Sequence, residues 1–573
     1  MKRWTGFLAT LAMAIILAVM ATTPPGPVAE NAPQSDFSAK RAMADVERIA
    51  ASPHATGTAE NAVVRAYLVE RLRSMGLEVR EVSLPLPPRS IERMRGWSKG
   101  AHVPTTMVNV IGVLPGKHRG LPAVALMAHH DTVWGSPGAA DDTAGVATIL
   151  ESVRAIKARG MAERDLAVII TDAEELGLSG AEAFFASDPL RDRIGMVVNM
   201  EARGGGGRTT LFETSPDNGN AMVLYADAVS HPGASSLAAF IYSVLPNDTD
   251  LSVSLRADKP GYNFAFIGRS GLYHSPKATP ANLDQGALQD MGGQVLALTD
   301  RLLRERALPA PAPSVVFFDA YGLFLVTYPT WVGWLMLGAI VLGLGLAARA
   351  GPGRQVAEGL GRMLILIFGT AVTLFVFNLV SGAGSGANYY DRLAAIPKLE
   401  AMALLTCAGM SLLLFRTNQI TARVVGAALP LLVLGAAAQC LCTHGSLCDP
   451  CTALAADAGD QPAGQHREVR DRNSGCTGAR LRTLPRPFRH AGSGAGHAIR
   501  CRAPARAGSN RDAACVAGHG EKARAPDRNL SAGWWPAGGF VGALRSAARY
   551  GRRLFDRQGG TRHSDYQAVT AMP

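Results

Sequence analysis

Histidines and carboxylates cluster at four well-separated places in the chain: His129-His130-Asp131 with Asp141-Asp142, Asp172-Ala173-Glu174-Glu175, Glu201, and His274 within Leu272-Tyr273-His274-Ser275-Pro276. The first three follow apolar, β-branched runs at 123–128, 166–171 and 196–200 that read as buried strands. A single loop of this kind would be an ordinary solvated turn. Three strand ends and a fourth segment with the same chemistry are not independent surface decoration, because buried carboxylates so close together repel unless a cation compensates them. The pattern points to a metal site at the carboxyl ends of strands, where open α/β sheets bind their ligands.

Two zinc ions that share a carboxylate take roughly five protein ligands from His and Asp/Glu, with a water between them. His129, Asp141, Glu175, Glu201 and His274 supply that set. Asp131, two residues after His129, is placed to accept the other imidazole N–H and fix the tautomer. Glu174 is left over, and a free carboxylate beside an activated water is what a general base must be. Glu174 as base and Asp131 as orienting carboxylate are thus the expected catalytic residues.

The segments His129-His-Asp131, Gly138-Ala-Ala-Asp141-Asp142, Ala173-Glu174-Glu175-Leu-Gly-Leu, Asn199-Met-Glu201-Ala and Tyr273-His274 closely resemble the motifs of M28-type dizinc aminopeptidases. With the apolar segments that follow, the chain looks most like the membrane-anchored branch, similar to vacuolar membrane proteases and endoplasmic-reticulum metallopeptidases. The resemblance covers about residues 36–310. It implies that His129 and Glu201 hold one zinc, that Glu175 and His274 hold the other, and that Asp141 bridges them. It implies further that Glu174 passes the proton of the bridging water to the leaving amine, and that Asp141-Asp142 is a cis peptide. One departure is Glu201, where many soluble relatives carry Asp; Glu coordinates equally well, so it stays a ligand. The implied activity is removal of N-terminal residues from peptides. Two alternatives stay open: a single-zinc acyltransferase resembling glutaminyl cyclases, and a non-catalytic membrane-tethered ectodomain of the same fold.

The elements that must position these side chains read as an α/β domain at 36–312. Helical spacing is expected at 38–50 and 59–75, with Gly76 as a C-cap, and strands at 77–84, 107–113 and 123–128. Helices at 144–159 and 181–186 separate the next strands, as crossovers in a mostly parallel or mixed sheet flanked by helices require. A closing helix is expected at 285–306.

Outside that domain the composition changes. Met1-Lys2-Arg3 precedes an apolar run to about residue 21, read as a signal-anchor or signal peptide, and 22–35 reads as a Pro/Ala-rich linker. Four apolar runs at 331–348, 363–380, 401–415 and 424–442 read as membrane spans within 326–442. Lys2, Arg3, Arg349, Arg354, Arg362, Arg416 and Arg423 then fall on one side, which should be cytoplasmic. That places the catalytic domain on the extracytoplasmic or lumenal face of an integral membrane protein acting on peptides. The net charge of +11 does not indicate nucleic acid, because much of the excess is Arg beyond about residue 460. All eight cysteines lie beyond residue 400, so neither disulfides nor cysteine ligands enter the His/Asp/Glu region. The tail at 443–573, rich in Arg, Ala, Gly and Pro, reads as disordered or as a frameshift product, with Cys448-Asp-Pro-Cys451 accidental.

The remaining polar residues are expected to do less. Alternation turns His130 away from the site, into a structural or surface role. His118 and His231 read as solvated. Arg203 and the glycine run 204–207 read as a flexible turn beside the cleft. Asp248-Thr249-Asp250 is either a loop closing over the site or a helix cap, and Tyr273 is a candidate oxyanion donor.

Overall fold

The computed structural model describes residues 2–245, 247–349, 351–380, 389–414 and 421–444. Beyond an apolar helix α1 (Lys2–Thr22), the chain forms α2 (Ala39–Ile49), α3 (Ala59–Ser74), β1 (Glu78–Pro85), α4 (Pro88–Trp97), β2 (Thr106–Leu114) and β3 (Ala123–His129). There follow α5 (Thr143–Ala158), β4 (Leu166–Thr171), α6 (Ser179–Ser187), β5 (Ile194–Ala202), β6 (Gly206–Thr214), α7 (Gly219–Ala228), α8 (Ser236–Val244), α9 (Asp250–Arg256), β7 (Gly261–Gly268) and α10 (Gln285–Arg304). A hairpin of β8 (Val315–Asp319) and β9 (Leu325–Pro329) leads into α11 (Thr330–Ala348), α12 (Gly353–Val380), α13 (Tyr389–Leu414) and α14 (Thr421–His444).

Seven strands form one mixed sheet in the order β1-β2-β4-β3-β5-β7-β6. The junctions β4–β3, β3–β5 and β5–β7 are parallel, whereas β1–β2, β2–β4 and β6–β7 are antiparallel. Every residue of β3 and β4 is buried, which is why these segments are apolar without alternation. Their side chains still divide between the faces. Val124, Leu126 and Ala128 join α2, α3, α5 and α10, while Ala123, Ala125 and Met127 join α6 and α9. The result is a helix–sheet–helix sandwich with the parallel strands at its centre, so their carboxyl ends open onto one rim.

The expected helices and strands up to β4 appear within one or two residues. Two later readings need correction. β5 continues through Glu201 to Ala202, so that carboxylate lies in the strand rather than after it. The glycine run 204–207 is not a flexible turn, because Gly206 and Gly207 open β6. A Cβ on Gly204 would lie 2.0 Å from the Gly268 carbonyl oxygen, so glycine is required there by the close approach to the end of β7.

Residues ahead of α2, expected to form a linker, are tied to the domain. The Val28 N–H donates to Gln289 Oε1 at 3.0 Å, and the Arg41 guanidinium donates to the carbonyls of Glu30, Ala32 and Asp36. At the other end, four helices among the described residues are long and apolar enough to cross a membrane: Thr330–Ala348, Gly353–Val380, Asp391–Leu414 and Thr421–Cys440. The third is longer than its apolar run because Pro397, Lys398 and Glu400 are accommodated inside α13. Gln439 Nε2 donates to the Thr330 carbonyl at 2.7 Å at one end of the bundle, and Arg423 pairs with Glu358 at 2.9 Å at the other. The tail from 445 onward, with Cys448 and Cys451, and Arg416 lie outside the described residues.

Candidate metal centre

His129 ends β3, Glu174 and Glu175 follow β4, and Glu201 lies near the end of β5, so three adjacent parallel strands deliver their side chains to the same rim. Asp141 comes from the turn before α5, whose first turn is capped by the Asp142 carboxylate accepting from the Gly145 N–H at 3.1 Å. The Asp141-Asp142 peptide is cis. Asp142 also accepts from the His129 N–H at 3.3 Å, joining the two loops. His274 reaches in from the loop after β7, with a left-handed backbone at φ 53°.

The five expected ligands meet in one place. Single donor atoms of His129, Asp141 and Glu201 lie within 4.8 Å of one another, as do those of Asp141, Glu175 and His274, and Asp141 is common to both triads. His129 Nε2 is 3.3 Å from Asp141 Oδ1 and 3.9 Å from Glu201 Oε2, while His274 Nε2 is 2.9 Å from Asp141 Oδ2 and 3.0 Å from Glu175 Oε1. Despite these separations, buried Glu175 Oε1 and His274 Nε2 have no hydrogen-bond partner. These two atoms, facing each other without a hydrogen bond, are arranged for a cation between them. Imidazole and carboxylate donors without thiolate suit zinc.

The electrostatics make the same demand. Burial pushes the Glu201 and Glu174 carboxyls well above the usual range against the pull of His129, with Glu174 adding to the rise of Glu201 and Glu175 to that of Glu174. Glu175 is raised by burial and by Asp141, against His274. Burial would lower His274, but the Glu175 carboxylate and, after it, the Asp141 carboxylate beside its ring raise it to about 10. His129 is likewise raised well above its usual value, chiefly by Glu174 acting against burial. Burial would raise Asp141, yet the two imidazoles hold it below the ordinary carboxylate range. The protein holds protons where positive charge is needed, and a metal ion would displace them.

Asp131 differs from expectation in one respect. Its backbone carbonyl, not its carboxylate, is the closer partner of His129 Nδ1, at 2.9 Å against 3.5 Å. The carboxylate is engaged elsewhere, accepting the N–H groups of Glu174 at 3.0 Å and Glu175 at 3.3 Å and the Thr56 hydroxyl at 3.2 Å. The left-handed turn at Ala173, φ 61°, comes two residues after the end of β4. Asp131 therefore orients both the histidine and the paired glutamates.

Residues at 109–299 match the model of peptidase family M28. The match is to an M28 peptidase domain. It is 28% identical over 386 residues to endoplasmic reticulum metallopeptidase 1 of Mus musculus, covering 62% of this chain and 43% of that protein. It is 30% identical over 298 residues to the vacuolar membrane protease of Eremothecium gossypii, covering 50% of this chain and 29% of that protein. The chain thus spans less than half the length of these curated relatives. Among solved structures, an aminopeptidase from Aneurinibacillus sp. strain AM-1 aligns at 14% identity over 50% of this chain and 98% of that one, with a TM-score of 0.39.

Around this centre, residues beyond the expected ligands hold the strands and loops together. Asn199 and Asn263 are register partners on β5 and β7. Asn199 Nδ2 donates to Glu201 Oε1 at 3.4 Å and to Asn263 Oδ1 at 2.9 Å, and Asn263 Nδ2 donates to Glu213 at 2.9 Å and to Thr249 at 2.7 Å. Paired asparagines buried in adjacent strands become visible only once the register is known. Asp250 is buried at the start of α9, hydrogen-bonded to the Thr171 hydroxyl. Of its two expected settings the structure shows the cap, since Thr249 and Ser252 form a capping box on α9.

His130 is buried as a structural residue, with Nε2 3.0 Å from the Val108 carbonyl and Nδ1 3.3 Å from Asn61 Nδ2. His118 is exposed beside Glu163, and His231, also exposed, has Nδ1 3.3 Å from the Gly322 carbonyl. Tyr273 stacks on His274 with ring centroids 3.7 Å apart, and the Arg203 guanidinium lies 5.4 Å from the Tyr273 ring centroid.

Glu213, at the far end of the asparagine relay, gives a pH prediction. Burial pushes its carboxyl up to about 7, with Asn263 opposing and Asp248 adding to the rise. A raised carboxyl contributes stability that is complete below the unfolded value near 4.5 and is lost as pH rises through about 7. Glu213→Gln is therefore expected to gain a few degrees of Tm relative to wild type between pH 5 and pH 8.5. A Tm difference that stays constant across that range would contradict this assignment.

Proposed function

We propose that the M28 domain hydrolyses peptide bonds with two zinc ions and acts as an aminopeptidase. The observation that carries the reading is the pair of donor triads sharing Asp141, with two buried donor atoms left unbonded. His129 and Glu201 would hold one ion, Glu175 and His274 the other, and Asp141 both. Bound there, the ions supply the positive charge that polarises a scissile carbonyl and acidifies a water.

The remaining work falls to the chain. Glu174 belongs to neither triad that contains Asp141, and its Oε2 lies 3.8 Å from His129 Nε2. It takes the proton of the attacking water and delivers it to the leaving amine. Asp131 acts as a positioning residue, holding His129 through its carbonyl and the backbone of Glu174 and Glu175 through its carboxylate. Tyr273 offers its hydroxyl to the developing oxyanion while its ring supports His274. The apolar helices anchor the protein in a membrane, and the arginines at 349–362 and 423 face the cytoplasm, which leaves the peptidase domain on the extracytoplasmic or lumenal side.

The test uses the full chain supplied with zinc and two forms of one peptide, with a free or an acetylated N-terminus. Release of the first residue from the free peptide alone, with two zinc ions per chain by metal analysis, is the expected result. Cleavage of the acetylated peptide at equal rate would overturn the aminopeptidase reading. One zinc per chain with cyclisation of an N-terminal glutamine would favour an acyltransferase.

A further inference from the structure

We infer that the second turn of α13 positions the loop carrying His274, so that the metal centre is completed from the side of the apolar helix bundle. This rests on His274 being a ligand, as proposed above. The loop is strained at two points: Arg269 at φ 54° and His274 at φ 53° are both left-handed non-glycine residues, separated by the short 3-10 turn Ser270–Leu272 and Tyr273. Contacts on both of its sides help to hold that geometry.

On one side the constraint comes from the peptidase domain. Ser136 Oγ donates to the Ser275 carbonyl at 3.0 Å, Arg269 pairs with Asp284 at 3.1 Å, and Leu272 packs where a side chain on Gly205 would stand. On the opposite side the constraint is α13. A Cβ on Gly271 would lie 2.9 Å from Ala394 Cα and 3.2 Å from Ala394 Cβ, so the loop and the helix are in backbone contact there. Gly271 does not have a positive φ, so what its missing side chain provides is room for the helix.

One hydrogen bond makes the contact specific. In an α-helix the Leu393 carbonyl would accept from the N–H four residues later, and that residue is Pro397, which has none. The freed acceptor is taken by Ser270 Oγ at 3.2 Å. Proline inside a long apolar helix thus serves to offer a carbonyl to the loop four residues ahead of His274.

The experiment measures zinc binding to the full chain by chelator competition, with zinc alone, beside kcat on a peptide. Ala394→Leu, which pushes α13 onto Gly271, is expected to weaken one of the two bound ions roughly ten- to hundred-fold and to leave the other unchanged. Ala394→Gly should retain both affinities, and so should Leu404→Ala on the exposed part of the same helix. Ser270→Ala, which removes a single hydrogen bond, should weaken the same ion several-fold, and it decides the matter if Ala394→Leu fails to fold. Wild-type affinity for both ions in folded Ala394→Leu, or in Ser270→Ala, would overturn the coupling while leaving the peptidase reading intact. A wild-type chain that takes up no zinc would remove the peptidase reading and this inference with it.

Discussion

Glu174→Gln is expected to lower kcat by roughly a hundred- to ten-thousand-fold while both zinc ions stay bound. The substitution keeps the size of the side chain and removes its ability to accept a proton. Glu174 belongs to neither Asp141-containing triad, though it groups with His129 and Glu175, and its backbone N–H is fixed by Asp131 at 3.0 Å. Burial, with Glu175, Asp250 and Asp141 adding and His129 opposing, drives its carboxyl far above the usual value in the absence of ions. Cations beside it would bring that value back toward neutrality, where a base works best. KM should change little, because a group that acts on the water and the leaving amine contributes mainly in the transition state. Metal analysis with steady-state kinetics checks both halves. Retention of activity within a few-fold would remove Glu174 from its role, and loss of metal would make it a ligand instead.

Removing the metal is expected to have the second-largest effect, and its size should depend on pH in a definite direction. Ions that bind only the folded state stabilise it by about 4 kcal/mol at a thousand times Kd, which corresponds to roughly 10 °C in a domain of this size. In the metal-free protein Glu174, Glu175 and Glu201 are raised carboxyls, and their contribution to stability is lost as pH rises above the unfolded value. His274, raised to about 10, has the same sign: its contribution is complete below the unfolded value near 6.5 and disappears as pH rises through about 10. The Tm of the chelated protein should therefore fall steadily from pH 5.5 to pH 9. Zinc replaces those protons, so the zinc-loaded protein should fall less and the gap should widen with pH. Thermal unfolding at matched pH with and without chelator measures the gap, and a gap that narrows as pH rises would contradict a centre that exchanges protons for cations.

Much of this centre was legible because its residue types carry their chemistry with them. Imidazoles and carboxylates after apolar β-branched runs are rare enough, in repetition, to mark a metal site before any contact is known. The glycine run 204–207 shows where such reading fails, because small residues signal flexibility and close packing alike, and only the neighbouring Gly268 carbonyl distinguishes them. Asp131 shows a subtler limit. Its proximity to His129 was plain from spacing, but whether carbonyl or carboxylate faces the ring depends on which other donors compete for the carboxylate, and those come from the end of β4.

By itself the sequence determined the α/β fold, the His/Asp/Glu side chains that the structure brings together and the run of apolar helices, since each is written in local periodicity or in the chemistry of single side chains. The tertiary structure alone decided the mixed strand order, the asparagine pair behind Glu201, and the seat of α13 against Ser270 and Gly271. These depend on register and on contacts between segments as much as 123 residues apart. No window along the chain contains them, because a hydrogen bond or a backbone approach across that separation is fixed by the packing of the whole and not by the residues on either side of it.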